Sequence, residues 1–95
     1  MVLEFAGELF VWRGPAPYYF VTVPEEPSAA LESASPTLSY GWGCIPVTAR
    51  IGGTTWRTSL FPKDDLYLVP VKVAVRRAEG LELGDIAAVR LDVAI

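Results

Sequence analysis

The stretch IPVTARIGGTTWRTSLF, from Ile45 to Phe61, decides the fold. It contains two runs in which apolar and polar residues alternate, and Gly52-Gly53 separates them. Alternation with a period of two is typical of a half-buried strand, and a two-residue glycine loop between two such strands is typical of a tight hairpin. The stretch therefore predicts an antiparallel β-hairpin with strands at 45–51 and 54–61.

The length of the loop also predicts the register of this hairpin. With Gly52-Gly53 as the whole loop, Ile51 pairs with Thr54 and every further pair follows from it. A slip of one residue would exchange the two faces. The predicted core face carries Ile45, Val47, Ala49, Ile51, Trp56 and Leu60, and the opposite face carries Thr48, Arg50, Thr55, Arg57 and Ser59.

The rest of the chain predicts four more strands and two short helices. Alternation or β-branched and aromatic residues indicate the strands, which gives a set of six at 2–12, 18–23, 45–51, 54–61, 65–69 and 86–95. One helix is expected from Pro24, with Pro36 ending it. A second is expected from Pro70 to about Ala78, ended by Gly80. Its inward face should carry Val71, Ala74, Val75 and Ala78.

The length of the chain predicts one domain over residues 1–95, and the six predicted strands make that domain mainly β. Of the 95 residues, 52% are hydrophobic and 20% charged, which is the composition of a chain with a real core. No apolar run approaches the roughly 18 residues of a membrane span, and the first residues lack the basic segment of a secretory signal. Cys44 is the single cysteine, so an intrachain disulfide is impossible. We therefore expect a cytoplasmic protein.

The residues that are missing restrict the chemistry. The chain contains no histidine, which excludes a Ser-His-Asp triad and any histidine-based metal site within it. With one cysteine, a zinc finger is excluded as well, and we expect neither a metal nor a cofactor. The net charge of −3 and the pI of about 4.8 argue against a general nucleic-acid binder. Asparagine and glutamine are also absent, through either heat adaptation or biased genomic composition.

Several segments together resemble a known bacterial family, the domain of unknown function 1905. They are GWGCIPV at 41–47, IGG at 51–53, WRTSLFP at 56–62, YLVPVK at 67–72 and RRAEGLELGD at 76–85. The resemblance implies a double-split β-barrel, related in shape to AbrB-like transition-state regulators, in which a helix, a turn such as Gly84-Asp85 and a strand recur. It implies a fold and leaves the biochemical activity open.

Two groups of residues are candidates for a ligand site. Arg50 and Arg57 lie diagonally on the outer face of the predicted hairpin, where two guanidinium groups beside the Ser59 hydroxyl could hold a carboxylate or phosphate. Lys72 and Arg76 could complete a cationic rim. The alternative is a solvated face whose arginines pair with nearby acidic residues, namely Glu4, Glu8, Glu79 or Asp92.

Aromatic side chains form the second group. They could line a pocket at the mouth of the barrel, although such residues more often form the core of a small β protein. Tyr40 and the glycine-flanked Trp42 are the members of most interest as ligand contacts. We interpret Cys44 as a buried structural thiol, because no histidine is available to activate it. The full aromatic set is Tyr18, Tyr19, Phe20, Tyr40, Trp42 and Trp56.

Three functions follow from these features. The first is a non-enzymatic module that binds a small anionic or aromatic ligand, as a monomer or a homodimer. The second is a regulatory or nucleic-acid-binding module, by analogy with the AbrB-like fold. The third is an enzyme without metal or histidine that uses arginine and lysine electrostatics.

Overall fold

A computed structural model describes residues 1–13, 18–40 and 43–94. The predicted mainly β architecture, with six strands and two short helices, is confirmed. The elements are, in order, β1 (Val2–Trp12), β2 (Tyr18–Val23), α1 (Glu25–Leu38), β3 (Ile45–Ile51), β4 (Thr54–Lys63), β5 (Leu66–Pro70), α2 (Val73–Glu79) and β6 (Ile86–Asp92). Within these ranges, neither helix is long and apolar enough to cross a membrane.

The strands close into an antiparallel barrel in the order β1-β2-β5-β4-β3-β6. The barrel has two halves, one containing β3 and β6 and the other containing β2 and β5, and both include β1 and β4. The residues of β1 up to Glu8 pair with β6, and those from Leu9 onward pair with β2. Gly7 lies just before this change of partner. A Cβ atom there would come within 2.6 Å of Val21 Cγ1. Glycine therefore allows the close approach that lets β1 cross from one half to the other.

The hairpin register predicted from Gly52-Gly53 is confirmed. Ile51 pairs with Thr54, and the pairing continues without a slip to Ile45 and Leu60. All members of the predicted core face are buried, and Ile45, Ala49 and Leu60 are completely inaccessible. The short loop thus sets which side chains of β3 and β4 enter the core.

One hydrophobic core fills the barrel. Each strand contributes its inward-facing residues, such as Leu9, Val21, Val69 and Leu91, all of them at most 1% exposed. Helix α1 adds Leu31, which is completely buried in the same cluster. The barrel and its first helix therefore share a single core.

Helix α1 does not end before Pro36, as the sequence predicted, but includes it and continues to Leu38. A proline removes one helical hydrogen bond, to the carbonyl four residues earlier. That residue is Glu32, which is exposed, so water can satisfy its carbonyl oxygen. The backbone N–H and the hydroxyl of Ser39 both donate to Ser35 O and close the last turn.

The predicted start of α2 was wrong, and two of the four residues predicted to face inward are exposed. The helix begins at Val73, because Pro70 still belongs to β5 and lies opposite Phe20 of β2. Val71 is buried as predicted, but as extended chain whose N–H donates to Tyr19 O. Val75 is buried within α2, whereas Ala74 and Ala78 are exposed.

Candidate functional site

The wall formed by β2 and β5 carries a second apolar layer on its outer face. Phe20 and Leu68 alternate with residues of the core and therefore point away from it, yet they are only 6% and 4% exposed. Phe20 lies opposite Pro70, and Leu68 lies opposite Phe61 of β4. Side chains of neighbouring elements therefore cover these outward-facing residues.

This layer is the floor of a groove of about 1000 Å³. Phe20, Leu68 and Pro70 form its base. The walls hold four of the large apolar side chains that are exposed in the described part of the chain: Trp12 (50% exposed), Tyr18 (62%), Tyr40 (57%) and Phe61 (45%). A contiguous exposed surface of this kind is typical of a site that binds a ligand or a partner.

Phe20 is the centre of the aromatic packing in the groove. Its ring centroid is 6.0 Å from that of Phe10, 6.3 Å from that of Tyr18 and 6.5 Å from that of Phe61. The Phe61 ring stands nearly perpendicular to it, at 87°. Edge-to-face and tilted pairs at these separations are favourable for aromatic rings. The Phe20 ring in the floor therefore packs against the Tyr18 and Phe61 rings of the walls.

Two polar contacts also lie along the groove. The Tyr40 hydroxyl and the Ser59 hydroxyl are 2.6 Å apart and share a hydrogen bond. The Lys63 ammonium lies over the Trp12 ring, 3.8 Å from its centroid, in a cation–π contact. Trp12 is on β1 and Lys63 is on β4, and β2 and β5 lie between these two strands in the barrel. The contact therefore joins β1 to β4 across the groove.

The structure brings two of the predicted site residues, Tyr40 and Ser59, together in this groove. Trp42 lies outside the described residues. Tyr18 and Phe20, from the wider aromatic set, also line the groove, which lies on the outer wall of the barrel. Trp56 instead is buried in the core, where its Nε1 donates to Pro70 O at 3.2 Å.

None of the four predicted cations lines the aromatic groove. Arg50 donates from Nε to Gly52 O and borders a shallow depression of about 310 Å³ with Glu4 and Arg90. Arg90, the residue opposite Arg50 on β6, forms ion pairs with Glu4 at 3.8 Å and with Asp92 at 3.6 Å. This surface is therefore of mixed charge.

The other three cations lie on or next to β4 and α2. Arg57 is exposed on the outer face of β4, opposite Thr48. Lys72 is the exposed residue just before α2. Arg76 lies over the Tyr19 ring, 3.5 Å from its centroid, and donates from Nε to Val71 O. The guanidinium group of Arg76 thus packs α2 against Tyr19 of the barrel.

Sequence reasoning missed seven residues of the groove, namely Trp12, Thr58, Phe61, Pro62, Lys63, Leu68 and Pro70. A signal for two of them was present in β4. Phe61 and Lys63 follow Ser59 at intervals of two residues and so continue its outer face. Trp12 has no such local signal, because its contact with Lys63 depends on the order of the strands. Among the described residues, no group of three or more acidic or cysteine side chains could hold a metal ion.

A family model described as "Domain of unknown function (DUF1905)" matches residues 5–91. The match spans the barrel from within β1 to within β6 and includes the groove. No curated protein matches the sequence.

Proposed function

The chain belongs to the DUF1905 family, and for this member we propose a non-enzymatic binding function, in which the outer-wall groove holds a small aromatic ligand. The observation that carries the proposal is the aromatic groove itself. Phe61, Tyr18 and Trp12 offer exposed ring faces in the groove, and the nearly buried Phe20 ring packs against two of them. A flat aromatic molecule would bury these faces and gain both apolar burial and ring–ring contacts.

The size and composition of the groove support a small molecule. Its volume of about 1000 Å³ is at the upper end of the range that holds a drug-sized ligand. The polar groups on its lining include the paired hydroxyls of Tyr40 and Ser59 and the ammonium of Lys63. A few polar groups on an apolar lining are the usual means by which a pocket orients its ligand.

The proposal is tested with two probes of the same shape, 2-naphthamide and 2-naphthoate. Each is titrated into the isotope-labelled protein, and backbone amide shifts are followed by nuclear magnetic resonance. We expect the largest shifts in the groove strands, at Tyr18, Phe61 and Leu68. Replacing Tyr18→Ser or Phe61→Ser should weaken binding about tenfold, because each change removes a ring face that the ligand would bury.

Ile86→Ser is the matched control. Ile86 is 67% exposed on β6, outside the groove, so its replacement should leave the affinity unchanged. Shifts that cluster elsewhere would overturn the proposal. So would an affinity of the Tyr18→Ser and Phe61→Ser variants equal to that of the unmodified protein. So would a dimer in sedimentation experiments that Tyr18→Ser dissociates, because the groove would then be an interface between two copies.

A further inference from the structure

We propose that the ligand of this groove is an aromatic carboxylate, with its carboxylate paired to Lys63. The inference rests on the proposed binding function and specifies the chemical class of the ligand. Its basis is the position of one charged side chain, since Lys63 is the one charged residue among the described residues that line the groove.

The Lys63 ammonium has capacity to bind an anion. It carries three donors, and its observed contact is with the face of the Trp12 ring. Within the described ranges the ion pairs are those of Arg90 with Glu4 and Asp92. No carboxylate in that part of the chain therefore pairs with Lys63, although the protein as a whole is acidic.

The contact between Lys63 and Trp12 also places the charge next to the apolar lining. The contact spans the groove from β4 to β1, and the rings of Phe61 and Tyr18 line the same groove. A ligand ring in contact with those side chains would bring an attached carboxylate to the ammonium. Charge-assisted hydrogen bonds of this kind are stronger than neutral ones, and an apolar lining strengthens them further.

The preference for an anion is measured with the same two probes, since naphthoate and naphthamide differ in charge and not in shape. We expect the unmodified protein to bind 2-naphthoate about tenfold more tightly than 2-naphthamide. Lys63→Met keeps an unbranched side chain of similar length and removes the charge, so the affinities for the two probes should become equal. In the unmodified protein, the preference should also shrink at high salt.

Lys72→Met is the matched control, because Lys72 is an exposed lysine outside the groove. The preference for naphthoate should survive this change. Equal affinities of the two probes in the unmodified protein would overturn the carboxylate inference and leave the aromatic-binding function intact. A preference that persists in Lys63→Met would overturn the assignment to Lys63. Binding of neither probe would overturn the proposed function as well.

Discussion

At the scale of single residues, Ser28 shows how a polar side chain can serve the core. It lies in the first turns of α1 and is completely buried. Its hydroxyl donates to Val23 O at 2.9 Å and accepts from the backbone N–H of Tyr67 at 3.2 Å. One side chain thus joins the end of β2 to β5 and satisfies two buried backbone groups.

Replacing Ser28→Ala should lower the free energy of unfolding by about 1–3 kcal/mol, because the Tyr67 N–H would lose its partner inside the protein. Urea denaturation measures the change. Ser33→Ala is the control, since Ser33 is exposed on the same helix and its replacement reports only the higher helix propensity of alanine. If both variants have the same stability, the hydroxyl bonds of Ser28 contribute nothing net.

At the scale of elements, the tip of the β3–β4 hairpin is fastened to α2. The Thr54 hydroxyl donates to the Glu79 carboxylate in the last turn of that helix. Gly52 lies against the same carboxylate, where a Cβ atom would overlap with Glu79 Oε1. Gly52 also has a φ of +58°, in the left-handed region that favours glycine. The loop therefore needs glycine at position 52 for two reasons.

Gly52→Ala should destabilise the protein by about 1–2 kcal/mol, from the left-handed backbone and the displaced Glu79 side chain. Gly53→Ala is the matched control, because a Cβ atom there meets nothing within 4 Å. In a Glu79→Ala background, the loss of stability caused by Gly52→Ala should be smaller. A double-mutant cycle, measured by urea denaturation, gives the coupling free energy between the two positions. A Gly53→Ala variant as unstable as Gly52→Ala would contradict this account of the loop.

At the scale of the whole molecule, each of the six described strands contributes to one core, so removal of a strand opens that core. β1 and β4 each pair with strands of both halves, and Leu31 of α1 lies in the core that all strands share. The contacts that close the barrel join residues far apart in the chain, as in the pairing of Val2 with Asp92. Loss of one half therefore exposes the core of the other.

Unfolding in urea should accordingly be a single transition. Far-ultraviolet circular dichroism reports the strands and helices, and tryptophan fluorescence includes the buried Trp56. The midpoints and slopes from the two probes should coincide. A helical signal that is lost at lower urea than the fluorescence would show that α1 unfolds separately from the barrel.

The sequence predicted well the features that depend on neighbours along the chain. The alternation in β3 and β4 and the two glycines between them were enough for the register and the buried face. The start of α2 could not be predicted in this way. It depends on the pairing of Pro70 with Phe20, which is some fifty residues earlier in the chain.

In the candidate site too, local sequence patterns predicted some features, and the tertiary structure determined others. Local patterns singled out Tyr40 and Ser59, and the family resemblance indicated a barrel. The Ile45–Phe61 stretch thus determined one hairpin by itself, because the period of a strand and the closure of a short loop are local properties. The contact between the Lys63 ammonium and the Trp12 ring depends on the order of the strands, because it forms only when β1 and β4, which are distant in the chain, close into a barrel.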